Sequence, residues 1–218
     1  MHTKRKATIQ DFEKRERLGN DPAKEHEYLE VLNSVDWSAD LFEENGKHGI
    51  KNALGEVIVP ARYEDFATLT DEEIAMGDPI ATKKDGKWGI LKAGLEEEWL
   101  IEPQFDYVGY PSRYLSVRLG DKWGIYDLET GEYKVPVICD QVESHPGMVF
   151  VNGIGIYTSE GKTGFIRYDG TITGAIFDEF DMDVDEPVKV KLAGQWGFIN
   201  DSGQFTTDED EACFFYST

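Results

Sequence analysis

Cysteine is almost missing from this 218-residue chain, which holds only two. Cys139 and Cys213 have no metal-type spacing, so a disulfide framework and a zinc site both lose support, and the two are expected as small buried apolar residues. Long apolar runs are missing as well. Nothing approaches the roughly 18 residues of a membrane span. The basic start, Lys4-Arg5-Lys6, is followed by no apolar stretch of the kind that makes a signal peptide, and a cytoplasmic address is the expectation. Positive charge is the third shortage: 22 Lys and Arg stand against 43 Asp and Glu, a net charge of −21. Nucleic-acid binding and adhesion to anionic membranes need cationic groups and are disfavoured. Catalytic fingerprints are lacking too: no nucleophile elbow, phosphate loop or dinucleotide motif occurs, and His2, His26, His48 and His145 form no ligand pair, so no cofactor is expected.

What the chain has in excess is repetition. Gly86-Lys87-Trp88-Gly89-Ile90 recurs as Gly46-Lys47-His48-Gly49-Ile50, Asp121-Lys122-Trp123-Gly124-Ile125, Gly161-Lys162-Thr163-Gly164-Phe165 and Gly194-Gln195-Trp196-Gly197-Phe198. The second glycines are spaced by 40, 35, 40 and 33 residues. Such a period decides architecture before any local pattern does. A second landmark follows each copy: Pro60 to Phe66, Pro103 to Val108, Pro136 to Val142, and Phe177-Asp178-Glu179-Phe180 without the proline. In the fifth unit only Ala212-Cys213-Phe214-Phe215 can fill that slot.

The local pattern is β. Asp85-Gly86 suits a two-residue hairpin turn with φ > 0, and Asn45-Gly46 and Gly120-Asp121 occupy the same place. Trp88 and Ile90 share one strand face, as do Trp123 with Ile125 and Trp196 with Phe198. That face is expected to be core, with Trp88, Trp123 and Trp196 buried. Gly89 and its equivalents point the other way, where a neighbouring backbone excludes a side chain. The recurring acids Asp65, Asp106, Asp140 and Asp178 are expected to cap turns.

The paired motifs, Gly-Lys-Trp-Gly-Ile and Pro-x-Tyr/Phe-Asp, resemble the WG-repeat family of bacterial proteins from about residue 41 onward, with His48 and Thr163 as departures. The resemblance implies a β-repeat module and no particular reaction. The fold expectation is mainly β: about five antiparallel three-stranded meanders in an array, with a closed propeller-like ring as the alternative.

Residues 1–36 read differently. Thr8-Ile9-Gln10-Asp11 resembles a capping box, Gly19 can stop the helix that follows, and Asp21-Pro22 can start another. Tyr28, Val31, Leu32 and Val35 fall on one helical face. Residues 1–36 are therefore expected as a helical cap or docking arm, and 37–218 as the repeat domain.

Charge follows that division. Residues 1–36 hold seven Lys/Arg and eight Asp/Glu, a net of −1, which leaves −20 on residues 37–218. A solvated outer face accounts for this; so does a surface for a basic partner. The densest clusters between strands, Glu96, Glu97, Glu98 and Asp181, Asp183, Asp185, are the candidate partner-binding residues. The second has the opening rhythm of a calcium loop, but Glu186 and Leu192 stand where glycine and glutamate are required. The leading functional expectation is a non-catalytic protein-binding module, with an immunity or inhibitor protein that occludes a basic toxin as its concrete form. The alternatives are a hydrolase of glycans or peptides using paired carboxylates, and a structural spacer.

Overall fold

The computed structural model describes residues 4–19, 22–67, 73–143, 154–167, 169–181 and 187–212. His2, His145, Asp21, Asp183, Asp185 and Cys213 lie outside them. The chain forms two compact units, Met1–Pro103 and Gln104–Thr218.

The first unit opens with two helices, α1 (Ile9–Gly19) and α2 (Glu25–Ser34). Thr8 starts α1: its N–H and its hydroxyl both donate to Asp11 Oδ2, at 2.8 and 2.6 Å. Gly19 closes α1. Arg5–Lys6 pairs in parallel with Val35–Asp36. Leu18, Val31 and Val35 bury themselves with Trp37 and Ala53, so the helices share a core with the start of the repeats.

The rest is antiparallel β. Five sheets lie along the chain among the described residues. The first holds Asp40–Glu44, Lys47–Lys51 and Val57–Tyr63. The second holds Asp65–Phe66, Pro79–Lys84, Lys87–Lys92 and Trp99–Phe105. The third holds Tyr107–Val108, Tyr114–Leu119, Lys122–Asp127 and Glu132–Cys139. The fourth holds Gln141–Glu143, Ile154–Ser159 and Lys162–Arg167. The fifth holds Glu179–Asp181, Lys189–Leu192, Gln195–Ile199 and Phe205–Thr206. None of them closes into a barrel. The three-stranded meander is thus the unit, with its third strand reduced in the fourth sheet to the isolated bridges Thr163–Phe177 and Ile166–Ile172, and from the second sheet on a short leading strand is added.

Each hairpin turns where the sequence places glycine. Asn45 and Gly46 have φ of 54° and 74°, and Asp85 and Gly86 have 52° and 77°, the pair of left-handed residues that a twisted two-residue turn requires.

The motif's second glycine has a packing role. In the first sheet His48 faces Tyr63 and Ile50 faces Val59, so Pro60, Ala61 and Arg62 together span the place opposite Gly49. In the third, Trp123 faces Cys139 and Ile125 faces Val135, with Pro136 in the bulge between. Proline costs no ladder bond there. The bulge lies directly on the glycine: a Cβ on Gly89 would come within 2.4 Å of Ile101 O and 2.8 Å of Pro103 N.

The aromatic slot of the second landmark is core: Tyr63, Phe105, Cys139 and Phe177 are each at most 2 % exposed. Side chains of the first and second sheets share one core, those of the third and fourth another, and those of the fourth and fifth a further one.

The expected burial of the motif tryptophans is corrected. Trp88 and Trp123 are half-buried, and Trp196 is 47 % exposed. They stand one step from the turn, at the rim of the sheet, whereas Ile90 and Ile125, two residues further in, are fully buried.

Candidate functional site

The recurring acid after the aromatic slot ties one sheet to the next. Glu64 Oε2 accepts the N–H of Gly86 at 3.0 Å, Asp106 Oδ2 that of Gly120 at 2.7 Å, and Asp140 Oδ2 that of Glu160 at 2.8 Å. Each acceptor caps the hairpin turn of the following sheet. Asp178 does the same with the backbone of Ala193 and Gly194. In the first unit the capping acid is Glu64; Asp65, the expected one, instead accepts its neighbour Phe66 N–H at 2.9 Å. The motif lysine holds the acid from the other side: Lys122 lies 2.6 Å from Asp140, Lys47 3.7 Å from Glu64, and Lys162 bonds Asp178. The lysine holds Asp140 and Asp178 below the usual carboxylate range, and the turn N–H groups add to it. Asp140 in turn raises Lys122.

A second recurring pair sits beside three of the five hairpin turns. The tryptophan faces a cation directly across the hairpin: Lys83 opposite Trp88, Arg118 opposite Trp123, Lys191 opposite Trp196. The charged groups stand 5.9, 5.5 and 5.6 Å from the ring centroids. Such contacts at exposed sites contribute about 0.5–1 kcal/mol each. Sequence inspection missed this pairing, although it was recoverable: each cation lies five residues before its tryptophan, the separation set by the two-residue turn.

The acidic candidates differ in how bare they are. Glu96, Glu97 and Glu98 are all exposed. Glu97 accepts two bonds from Lys84 Nζ, at 2.7 and 2.9 Å, and one from the Tyr63 hydroxyl at 3.3 Å. Lys84 holds the Glu97 carboxyl low, while burial, reinforced by Glu97, pushes the Tyr63 phenol up to about 12. Glu98 pairs with Lys92 at 3.1 Å. Asp181 is exposed on Glu179–Asp181, opposite Lys189 in the ladder. Its companions Asp183 and Asp185 lie outside the described residues.

Two places invite a chemical reading. Asp127 is fully buried, with Lys134 Nζ 3.7 Å from Oδ2 and Arg113 Nε 3.9 Å from Oδ1. Its Oδ1 accepts the N–H groups of Glu129 and Thr130, at 3.0 and 3.3 Å. Asn52 and Asn200 occupy the same repeat position and make the same kind of turn. Asp127 is therefore a turn residue. A groove of about 380 Å³ in the second unit is lined by Pro136, Ile138, Cys139, Tyr157 and Ile172, with Glu160 as the acid among its described lining residues. Paired-carboxylate hydrolysis needs two acids converging across about 5–10 Å, and this groove does not offer them. Burial pushes the Cys139 thiol up, away from a reactive thiolate.

Among the described residues no helix is long and apolar enough to cross a membrane. No curated protein matches the chain. Residues 95–123, which run from just before the last strand of the second sheet through Trp123, match the family model described as WG containing repeat. With the same glycine, lysine and capping acid recurring along the chain, that match supports assigning it to the WG-repeat family.

Proposed function

We propose that this chain is a non-catalytic module that binds a basic protein. The observation that carries the proposal is the fate of its positive charge. In the repeats, Lys47, Lys84, Lys122, Lys162 and Lys191 are all engaged by acids of the same fold. Thirty-five Asp and Glu there face only fifteen Lys and Arg, so the remaining acids dominate the field that an approaching molecule meets. Such a field speeds association with a cationic surface and repels nucleic acid. In its concrete form the partner is a toxin whose cationic substrate-binding face is occluded by the acidic repeats, Glu96, Glu97 and Glu98 among them.

The test is capture from the native host with the full chain as bait, at low and high salt. A basic partner released by salt is expected, together with protection of cells that express the partner when this chain is co-expressed. Recovery of partners with no basic member, and no protection against any of them, would remove the proposal.

A further inference from the structure

In the second to fifth sheets the first hairpin strand is flanked by a short leading strand that the chain brings from the preceding repeat. The N–H of Glu64 donates to Lys83 O at 2.9 Å and that of Ala67 to Ala81 O at 3.0 Å. The same bonds join Asp106 to Arg118 O and Gly109 to Ser116 O, at 2.9 and 2.8 Å. Asp140 to Thr158 O and Asp178 to Lys191 O, both 2.8 Å, repeat the pattern. The first sheet has no such strand among its described residues: Asp40–Glu44 is bonded on one side only, to Lys47–Lys51. By register, the carbonyls that would accept the missing bonds are those of Leu41 and Glu43. Leu41 is 42 % exposed. Phe42 is half-buried, whereas Thr82, Val117, Tyr157 and Val190, its equivalents beneath a leading strand, are at most 6 % exposed.

We infer that the outer edge of Asp40–Glu44 takes up an extended basic segment of a partner protein, which adds to the first sheet as its leading strand. The charge of the partner follows from one reversal. In the second and fifth sheets the leading strand sets an acid opposite a cation, Asp65 facing Lys83 and Glu179 facing Lys191. The first sheet carries Glu43 at that position, so the complementary residue is Lys or Arg. The next residue is apolar in the second to fifth sheets: Phe66, Val108, Val142 and Phe180. Here it would cover Phe42. Glu44 adds a further exposed acid on the same edge, while Lys6 satisfies Asp40 at 3.1 Å. Main-chain bonds supply the affinity of such strand addition, and alternate side chains supply its selectivity. The inference rests on the reading of the chain as a module for a basic partner and names where that partner is held.

The probe is a synthetic peptide, residues 61–67 of this chain with lysine in place of Asp65, titrated into the isotopically labelled full chain. Amide shifts concentrated in residues 40–47 are expected. N-methylation of the peptide at the two donor positions, those of Glu64 and Ala67, should weaken binding at least about tenfold, because two backbone hydrogen bonds are lost while charge is kept. Glu43→Lys should reverse the preference, so that the unaltered 61–67 peptide becomes the tighter ligand; an unchanged melting curve shows that the variant is folded. No shift at millimolar peptide, shifts spread over the acidic surface, N-methylated peptide binding as well as the parent, or an unreversed preference would each overturn the inference. The natural partner separates the two readings. Wild-type, salt-sensitive association with Glu43→Lys would sink the edge and leave the acidic-surface proposal standing. A salt-insensitive partner would sink that proposal whatever the peptide does.

Discussion

At the scale of single residues, the glycine of the Trp-Gly pair governs stability more than the tryptophan does. A Cβ on Gly124 would stand 2.8 Å from Val135 O and 3.0 Å from Val137 N, and one on Gly89 within 2.4 Å of Ile101 O. These neighbours are backbone and cannot rotate away. Gly89→Ala and Gly124→Ala should therefore each cost about 3 kcal/mol or more, at the upper end of overpacking effects. Trp123→Ala, at a half-buried rim position with Tyr107 and Arg118 against the ring, should cost about 2 kcal/mol, and Trp196→Ala about 1 kcal/mol, below the figure for a fully buried aromatic. Urea titration of the four variants gives the order directly. Equal losses at Trp196 and Gly124 would show that the ring carries the packing after all.

The close approach at glycine was legible from the sequence, because a glycine on the opposite face from a recurring large residue has few other uses. Tryptophan exposure was not. Period-two alternation assigns Trp88 to the face of Ile90, but it carries no information on distance from the turn, and that distance puts the ring at the rim.

At the scale of elements, the clamp between sheets is the unit of construction. An acid caps the next turn and a lysine holds the acid, as Lys122, Asp140 and the N–H of Glu160 show. Asp140 and Asp178 have pKa values below the ordinary carboxylate value, so they protonate later in the folded chain than in the unfolded one. Their contribution is then present above the unfolded value of about 3.9 and is lost as pH falls through the lower folded value. The difference in melting temperature between wild type and Asp140→Asn should be flat above about pH 5 and shrink below about pH 4. A difference that grows on acidification would contradict the clamp.

The N-terminal element has a clamp of its own. Arg15 makes a two-pronged pair with Glu73, at 2.6 and 2.7 Å, and its guanidinium lies 4.3 Å from the Trp37 ring centroid. Arg15→Lys should lose about 1 kcal/mol by denaturant titration, since an ammonium reproduces neither the fork nor the stacking. An unchanged midpoint would mean the pair is ornamental. The capping box at Thr8 and the stop at Gly19 were readable from local sequence. Arg15 with Glu73 was not, because the two are 58 residues apart and nothing periodic links them.

On the scale of the whole molecule, repetition made the architecture legible, while the function rests on a charge excess that has no single address. The acid runs were visible as runs. Their partners were not: the sequence shows Glu97 and Glu98 as bare acids, and the fold puts Lys84 and Lys92 beside them. Glu96→Gln with Glu98→Gln should leave stability within about 0.5 kcal/mol, whereas adding Glu97→Gln removes the charge that pairs with Lys84 and leaves a single amide oxygen for Lys84 and the Tyr63 hydroxyl to share, and should cost measurably more. The measurement that tests the central claim most directly is the association rate of the full chain with its recovered partner as ionic strength rises from about 0.1 M to about 1 M, where the screening length falls from about 10 Å to about 3 Å. An acidic surface steering a basic protein predicts a rate that falls by tenfold or more across that range, and that is already lower at low salt for Glu96→Gln/Glu98→Gln. A rate flat across the range and unchanged in that variant would contradict it.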